Sequence, residues 1–279
     1  MSWNQYRFMF RLLSDIHVGY RRTGNLMQSR CYVHGRAIRG ALVNALASSL
    51  CSDEPDPYET ASEVVRNIRF TYFWPAYCRE TSPDGWNSLS TAFPFPVSDG
   101  LRKLYPNPIK IRKEALEYLF MHSEQRTSVG VSSRTAEEGV LFEVESISSH
   151  TREGKQVYLV GTLWISDSDG RLGNPTESFS NLLLGGERTY GWGRGLLRLE
   201  PAGSDRCDPT SLRFSGHVPA HLIPKESRPD PTAKVEALAG WETMRGKTRL
   251  TSVAAYEPGY WLDSESIVEI DESGIWRQT

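Results

Sequence analysis

The sequence predicts an α+β fold, and three observations carry that prediction. Hydrophobic residues make up 39% of the 279-residue chain, enough to build a packed core. Tyr6, Phe8, Phe10 and Leu12 alternate within residues 5–13, the period of a half-buried strand. In "GRAIRGALVNALASSL", Ile38, Ala41, Leu42, Ala45, Leu46 and Ser49 recur at the three- and four-residue spacing that lines one face of a helix.

The elements follow in order. "HVGYRRTGNLMQSR", residues 17–30, begins as a loop after the first strand, and the helix from Gly35 follows it. The acidic, proline-bearing residues 51–65 read as a loop, and "RNIRFTYFW" as a strand with Ile68, Phe70, Tyr72 and Trp74 alternating. Residues 79–109 are dense in Pro, Ser, Gly and Asp and read as an inserted loop. "IRKEALEYLFMH" predicts a short helix. "TSVGVSSRTAEEGVLFEVESIS" ends in an alternating strand, and "KQVYLVGTLWIS" is expected to pair with it across a hairpin-like loop. "TESFSNLLL" is helix-like, capped by Thr176 or Ser178. A strand "LLRLE" and the tail strands "TSVAAYEPGYWL" and "SIVEIDESGIW" complete the chain. This order is that of a split βαβ or ferredoxin-like (RRM-like) unit, or a diverged tandem pair of them. The expected division is 1–165, an N-terminal RRM-like domain with the inserted loop 79–109, and 166–279, a second half with the glycine-rich stretch 185–195 and a strand-rich extension.

The charge is segregated. The chain carries a formal net charge of −2, yet residues 1–50 contain seven arginines against the single acid Asp15. "CSDEPDPYETASE", which follows, holds five acids and no base. Of the 32 basic residues 25 are arginine, the side chain suited to bidentate phosphate contacts and to stacking on bases. Residues 17–30 carry Arg21, Arg22 and Arg30 with His17, Tyr20, Asn25 and Gln28 and no acid, which reads either as a solvated basic face or as a phosphate-binding stretch. Arg36 and Arg39 lie in the first turn of the helix, where cations oppose the macrodipole. An anion lying across them would remove that conflict.

"GGERTYGWGRG" contains Gly185, Gly186, Gly191, Gly193 and Gly195, interleaved with Arg188, Tyr190, Trp192 and Arg194. Its glycines allow left-handed backbone and close approach of a ligand; its arginines offer phosphate contacts and its aromatics faces for stacking. It follows a helix-like run and precedes a strand, the reverse of a dinucleotide fingerprint. "GWETMRGKT", residues 240–248, misses the phosphate-loop spacing by one residue.

Cys31, Cys51, Cys78 and Cys207 form no C-x-x-C pair, and the histidines show no ligand spacing, so no structural zinc is expected. No cofactor is expected either. Free thiols point to a reducing cytoplasm, and no apolar run approaches the length of a membrane span. His17 reads as a hydrogen-bonded structural residue, a contact to RNA, or a general base for metal-free RNA cleavage. Metal-dependent cleavage is disfavoured, because residues 17–30 hold no carboxylate and Asp15 is equally suited to pair with an arginine.

Three stretches, in this order, resemble the RAMP superfamily of CRISPR-associated proteins. "LLSDIHVGY" is similar to the first strand running into an H-x-G turn. "CYVHGRAIRGALVNAL" resembles the segment leading into the first helix, with His34 in place of the usual proline. "LLLGGERTYGWGRGLLRL" looks like the C-terminal glycine-rich loop. "VGVSSRTAEEGVLFEVESI", which includes Arg134, is similar to the thumb-like segment that grips guide RNA. The resemblance implies a ferredoxin-like, non-catalytic, cytoplasmic subunit of a type III-like effector that binds crRNA, caps its 5′ handle and contacts other RAMP-type subunits. His17, Tyr20, Arg21, Arg22, Asn25, Gln28, Arg30, Arg36, Arg39, Arg134, Gly185, Gly186, Arg188, Tyr190, Trp192 and Arg194 would then contact RNA. A crRNA backbone subunit and a metal-independent repeat endoribonuclease using His17 are the alternatives. "YFWPAY" and "FPFP" read either as core or as docking surface for a neighbouring subunit.

Overall fold

The computed structural model describes residues 2–50, 55–78, 85–129, 136–166, 170, 172–203, 207–225, 230–244 and 247–279. Strand β1 (Trp3–Leu12) leads into the hairpin β2 (Gly19–Thr23) and β3 (Leu26–Ser29), then helices α1 (Gly35–Leu50) and α2 (Pro57–Val65). Next come β4 (Ile68–Phe70), β5 (Trp74–Cys78), β6 (Leu89–Phe93), α3 (Asp99–Leu104), β7 (Ile109–Lys110) and α4 (Lys113–Phe120). A long hairpin, β8 (Met121–Val129) and β9 (Ala136–Ile147), precedes β10 (Val157–Ser166), the single turn α5 (Pro175–Ser178) and β11 (Gly195–Pro201). The remainder is β12 (Leu212–His217), β13 (Leu222–Ile223), β14 (Val235–Met244), β15 (Lys247–Tyr256), β16 (Trp261–Ile270) and β17 (Trp276–Gln278). The fold is α+β.

The central sheet runs β11-β1-β10-β5-β6-β7, with β4 also pairing β10. Every residue of β10 is buried, because both faces are covered. Leu159, Leu163 and Ile165 join Phe8, Phe10 and Leu12 against Ile38, Leu42 and Leu46 of α1. On the other face Tyr158, Val160, Trp164 and Trp74 of the central sheet join Phe93 of the 86–105 region and Phe214, Val268 and Trp276 of the second sheet, β12-β16-β17-β13-β15-β14. The third sheet, β2-β3-β9-β8, stands apart and carries the 17–30 stretch.

The predicted first strand and α1 are present, and the α1 stripe is buried except for Ser49, which is exposed. Several other expectations are corrected. Residues 17–30 form a hairpin rather than a loop, turning at Gly24-Asn25 with Gly24 at φ 60°. Residues 57–65 are helical; Asp56 caps them by accepting from the Glu59 N–H, and Pro57 opens the first turn. The region read as loop 79–109 carries β6, whose five residues are all buried, together with α3 and β7. Its Pro and Gly residues set turns between short elements rather than an unstructured insertion. β10 pairs with β1, β4 and β5 and not with β9, since a strand buried on both faces belongs inside a sheet. Helix α5 covers only 175–178 and is capped by Asn174 instead of Thr176 or Ser178. Tyr72, Trp74, Phe93 and Phe95 are core. Residues 240–244 and 247–248 lie in the paired strands β14 and β15, where a phosphate loop requires a helix after its loop; Arg245 and Gly246 lie outside the described residues.

Candidate nucleic-acid interface

The glycine-rich stretch is stitched along the segment that links β1 to β2. Gly186 N–H donates to the His17 carbonyl at 2.8 Å, Gly193 N–H to the Asp15 carbonyl at 2.8 Å, and Leu13 N–H to the Arg194 carbonyl at 3.0 Å. Glycine is required at two of these positions. Gly185 has φ 80°, and a Cβ there would lie 2.5 Å from the His17 carbonyl oxygen; Gly193 has φ 83°, and its Cβ would lie 2.3 Å from the Leu184 carbonyl oxygen.

This stitching forms a cavity of about 260 Å³ where three sequence-distant segments meet. His17 and Gly19 come from the β1–β2 link, His34, Arg36 and Ala37 from the start of α1, and Gly185, Gly186 and Arg188 from the glycine-rich stretch. Its lining contains no acidic residue. Burial, with the positive charge of Arg30, pushes the His34 imidazole down to about 3, so near neutral pH it lines the cavity uncharged. His17 is buried at 8% exposure and hydrogen-bonds through Nδ1 to the Glu145 carbonyl at 2.7 Å. Only a protonated Nδ1 can donate to a carbonyl, which leaves Nε2 with the lone pair in the neutral ring. Asp15 accepts from Ser149 N–H at 2.9 Å and from the Ser146 hydroxyl at 3.2 Å; it anchors the end of β9 instead of pairing with an arginine. Among the described residues no group of His, Cys, Asp or Glu is placed to hold a metal.

The arginines divide into two kinds. Arg21 and Arg22 stand on β2, all of whose residues are exposed. Their side chains contact only the hairpin itself, Arg21 donating to the Gln28 side-chain amide oxygen Oε1 and Arg22 to the Gly24 backbone carbonyl at 3.1 Å. Asn25 is exposed at the turn and Gln28 is half-buried. Arg194 and Arg188 are exposed on the glycine-rich stretch, with Arg188 bonded to the carbonyls of Gly185 and Leu183.

Arg30 and Arg39 are held in ion pairs of the chain's own, whereas Arg36, bonded to a neutral carbonyl, lines the cavity. Arg30, its side chain 9% exposed, forms a two-pronged ion pair with Glu236 and donates to the Tyr32 hydroxyl at 3.0 Å. Glu236 also pairs with the buried His221 at 2.9 Å. Burial alone would raise Glu236, but hydrogen bonds from His221 and Arg30 bring it down to about 2. Arg39 lies 3.0 Å from the Glu272 carboxylate, and Arg36 donates to the Thr251 carbonyl at 3.2 Å. Glu272 is thus an anion of the chain's own that offsets the cations in the first turn of α1.

The aromatics also divide. Trp192 is buried at 9% exposure, and the Arg126 guanidinium lies 4.4 Å from its ring centroid and 4.3 Å from that of Tyr190. Tyr190 remains 60% exposed and Tyr20 45%, with Arg30 and Arg21 lying 4.6 Å and 5.4 Å from the Tyr20 ring centroid. Arg134 lies outside the described residues. Sequence reasoning missed Arg126 and Glu236; the Gly-Asn turn of the β2–β3 hairpin was the one readable sign of the element that presents Arg21 and Arg22.

Among the described residues no helix is long and apolar enough to cross a membrane. No family model matches the sequence, and no curated protein matches it. Among solved structures, the chain is similar to a chain of the Type III-B Cmr-beta assembly bound to cognate target RNA, with 12% identity and a TM-score of 0.45 over 70% of this chain and 96% of that one. A chain from the apo state of Type III-B Cmr-beta gives 11% identity and a TM-score of 0.43 over 70% and 97%. A third, from Type III-B Cmr-beta bound to cognate target RNA and AMPPnP, gives 14% identity and a TM-score of 0.49 over 96% of this chain and 86% of that one.

Proposed function

We propose that the chain is a guide-RNA-binding subunit of a multi-subunit CRISPR ribonucleoprotein effector, that it caps the 5′ handle of the crRNA, and that it cuts no RNA itself. In this reading β1, α1, β4, β10 and β11 form its ferredoxin-like core, and its other partners are RAMP-type subunits. One observation carries the proposal: the acid-free cavity formed by His17, Arg36, Gly186 and Arg188 adjoins a hairpin whose Arg21 and Arg22 are exposed. A ribose-phosphate backbone is the ligand such a surface suits, since cations and backbone N–H groups bind phosphate whatever the sequence. Exposed Tyr190 and Tyr20 supply faces for unstacked bases. The test is stoichiometry on crRNAs of increasing length, measured by native mass spectrometry. A cap binds one copy per guide at every length; copy number rising with length identifies a backbone subunit.

A specific observation favours one second reading. His17, hydrogen-bonded through Nδ1 to the Glu145 carbonyl, lines a cavity beside Arg36 and Arg188, an imidazole beside cations suited to in-line attack by a 2′-hydroxyl. Shortening of repeat RNA in EDTA, abolished by His17→Ala, would establish that endoribonuclease reading in place of the first.

A further inference from the structure

The hairpin 17–30 separates two cavities of opposite character. Beyond it, between the β2–β3 hairpin, α4 and the second sheet, lies a cleft of about 880 Å³. Tyr32, Trp74 and Phe95 form its buried aromatic floor, while Tyr260 and Trp261, the latter 48% exposed, form its outer wall. Six carboxylates line it against four cations, the reverse of the phosphate-suited cavity on the other side. Two pairs are satisfied internally, Arg30 with Glu236 and Lys113 with Glu117. Asp230 accepts from Thr232 and from the Tyr260 hydroxyl. Glu257 and Asp263 have no ion pair among the described residues.

We propose that this cleft seats an arginine- or lysine-bearing segment of a partner protein. Aromatic faces and carboxylates together select a cation: the ring quadrupole and the negative charge attract the same guanidinium or ammonium group. The chain itself uses the same arrangement: Arg30 lies 4.6 Å from the Tyr20 ring centroid and is paired to Glu236, and Arg126 lies 4.3 Å from that of Tyr190 and is paired to Glu124. RNA suits the cleft less well, because carboxylates outnumber cations in its lining even with Arg21 and Lys234 counted. The cleft has room for several residues of an extended segment, and RNA and protein would then meet at one hairpin, whose Tyr20 and Arg21 also line the cleft. Nothing in this inference depends on which RNA the cationic cavity takes.

The test uses the full chain and a fluorescein-labelled nonapeptide of alternating arginine and glycine, read by fluorescence anisotropy, beside a glutamate-glycine counterpart. Glu257→Gln with Asp263→Asn should weaken binding of the arginine peptide by about tenfold. Glu153→Gln with Glu177→Gln, remote exposed acids, should leave it within about twofold. Near-ultraviolet circular dichroism verifies that both variants are folded. Equal weakening in both variants, no weakening in the cleft variant, or no binding at about 1 mM peptide would overturn the proposal. A short single-stranded RNA is the second probe. Its affinity should hold or rise in the cleft variant, because negative charge has been removed; a fall would assign the cleft to RNA and overturn the protein-segment proposal.

Discussion

Replacing Arg21 and Arg22 with alanine removes cations that the fold does not use. Both lie on a strand exposed throughout, and their side chains reach only other residues of the hairpin, Arg21 the Gln28 side chain and the Tyr20 ring, Arg22 the Gly24 carbonyl. The stability cost should therefore stay within about 0.5 kcal/mol, as for surface substitutions generally. The effect on RNA is larger. Each phosphate neutralised on a single strand contributes about 0.7 to the slope of log affinity against log salt, so losing two contacts lowers its magnitude by about 1.4. Between 50 and 200 mM salt, the double variant should lose about sevenfold less affinity than the wild type. The assay is fluorescence anisotropy with labelled repeat-derived RNA over that salt range. Arg30→Gln supplies the contrast within the same stretch. It removes one partner of a buried ion pair, so it should cost about 3–5 kcal/mol in urea unfolding and leave the salt slope unchanged where the protein is folded. An unchanged slope and affinity in the Arg21/Arg22 variant, or a slope lowered by Arg30→Gln instead, would refute the division of the arginines into phosphate-binding and structural sets.

Other outcomes follow from the same geometry. Stability should fall with acid: His34 is held neutral in the fold, down to about 3 from an ordinary 6.5, so its contribution is complete above 6.5 and lost as pH drops below. Glu236, lowered to about 2 from 4.5, contributes above 4.5 and loses that contribution below, in the same direction. The unfolding free energy from urea titrations should therefore decline from pH 7 to pH 4, by up to about 1.4 kcal/mol per pH unit from His34, and His34→Gln should flatten the decline between pH 6.5 and 5. Gly193→Ala should lower thermal stability well beyond Gly191→Ala, because both have positive φ but only Gly193 has a carbonyl oxygen, 2.3 Å away, where the methyl would go; equal costs of about 1 kcal/mol would show that backbone strain alone matters. Tyr190→Ala should weaken RNA binding by about 1–3 kcal/mol with the fold intact, as loss of a base-stacking face does. Trp192→Ala, which removes a buried ring from beside Arg126, should lower stability first, and the two are separated by comparing thermal melts with anisotropy.

What was legible in the sequence was periodicity. The alternation of Tyr6, Phe8, Phe10 and Leu12 and the stripe from Ile38 to Leu46 depend on which residues face the core, and both are present. Long-range pairing was not legible. "KQVYLVGTLWIS" reads as the hairpin partner of the strand before it, yet its unbroken burial places it beside β1, which only the assembled sheet reveals. Residues 79–109 misled because turn-forming residues dominate the composition while short buried runs such as Leu89–Phe93 carry the structure. At the site, the 17–30 stretch was legible as acid-free and arginine-bearing and the glycine-rich stretch as rich in arginine and aromatics, whereas their convergence with the start of α1 was not. The diversion of Arg30 to Glu236 and of Arg39 to Glu272 spans more than two hundred residues. No local pattern marks those acids as partners, so a charge count over residues 1–50 overstates the cations free for RNA.

The measurement that tests RNA capping without cleavage most directly mixes the protein with end-labelled repeat-derived RNA in EDTA and runs native and denaturing gels in parallel. The proposed function predicts RNA retarded on the native gel and of unchanged length on the denaturing gel. Shortened RNA would contradict it and make His17 a catalytic base, and RNA left unretarded at protein concentrations that saturate the Arg21 and Arg22 surface of a working binder would contradict RNA binding itself.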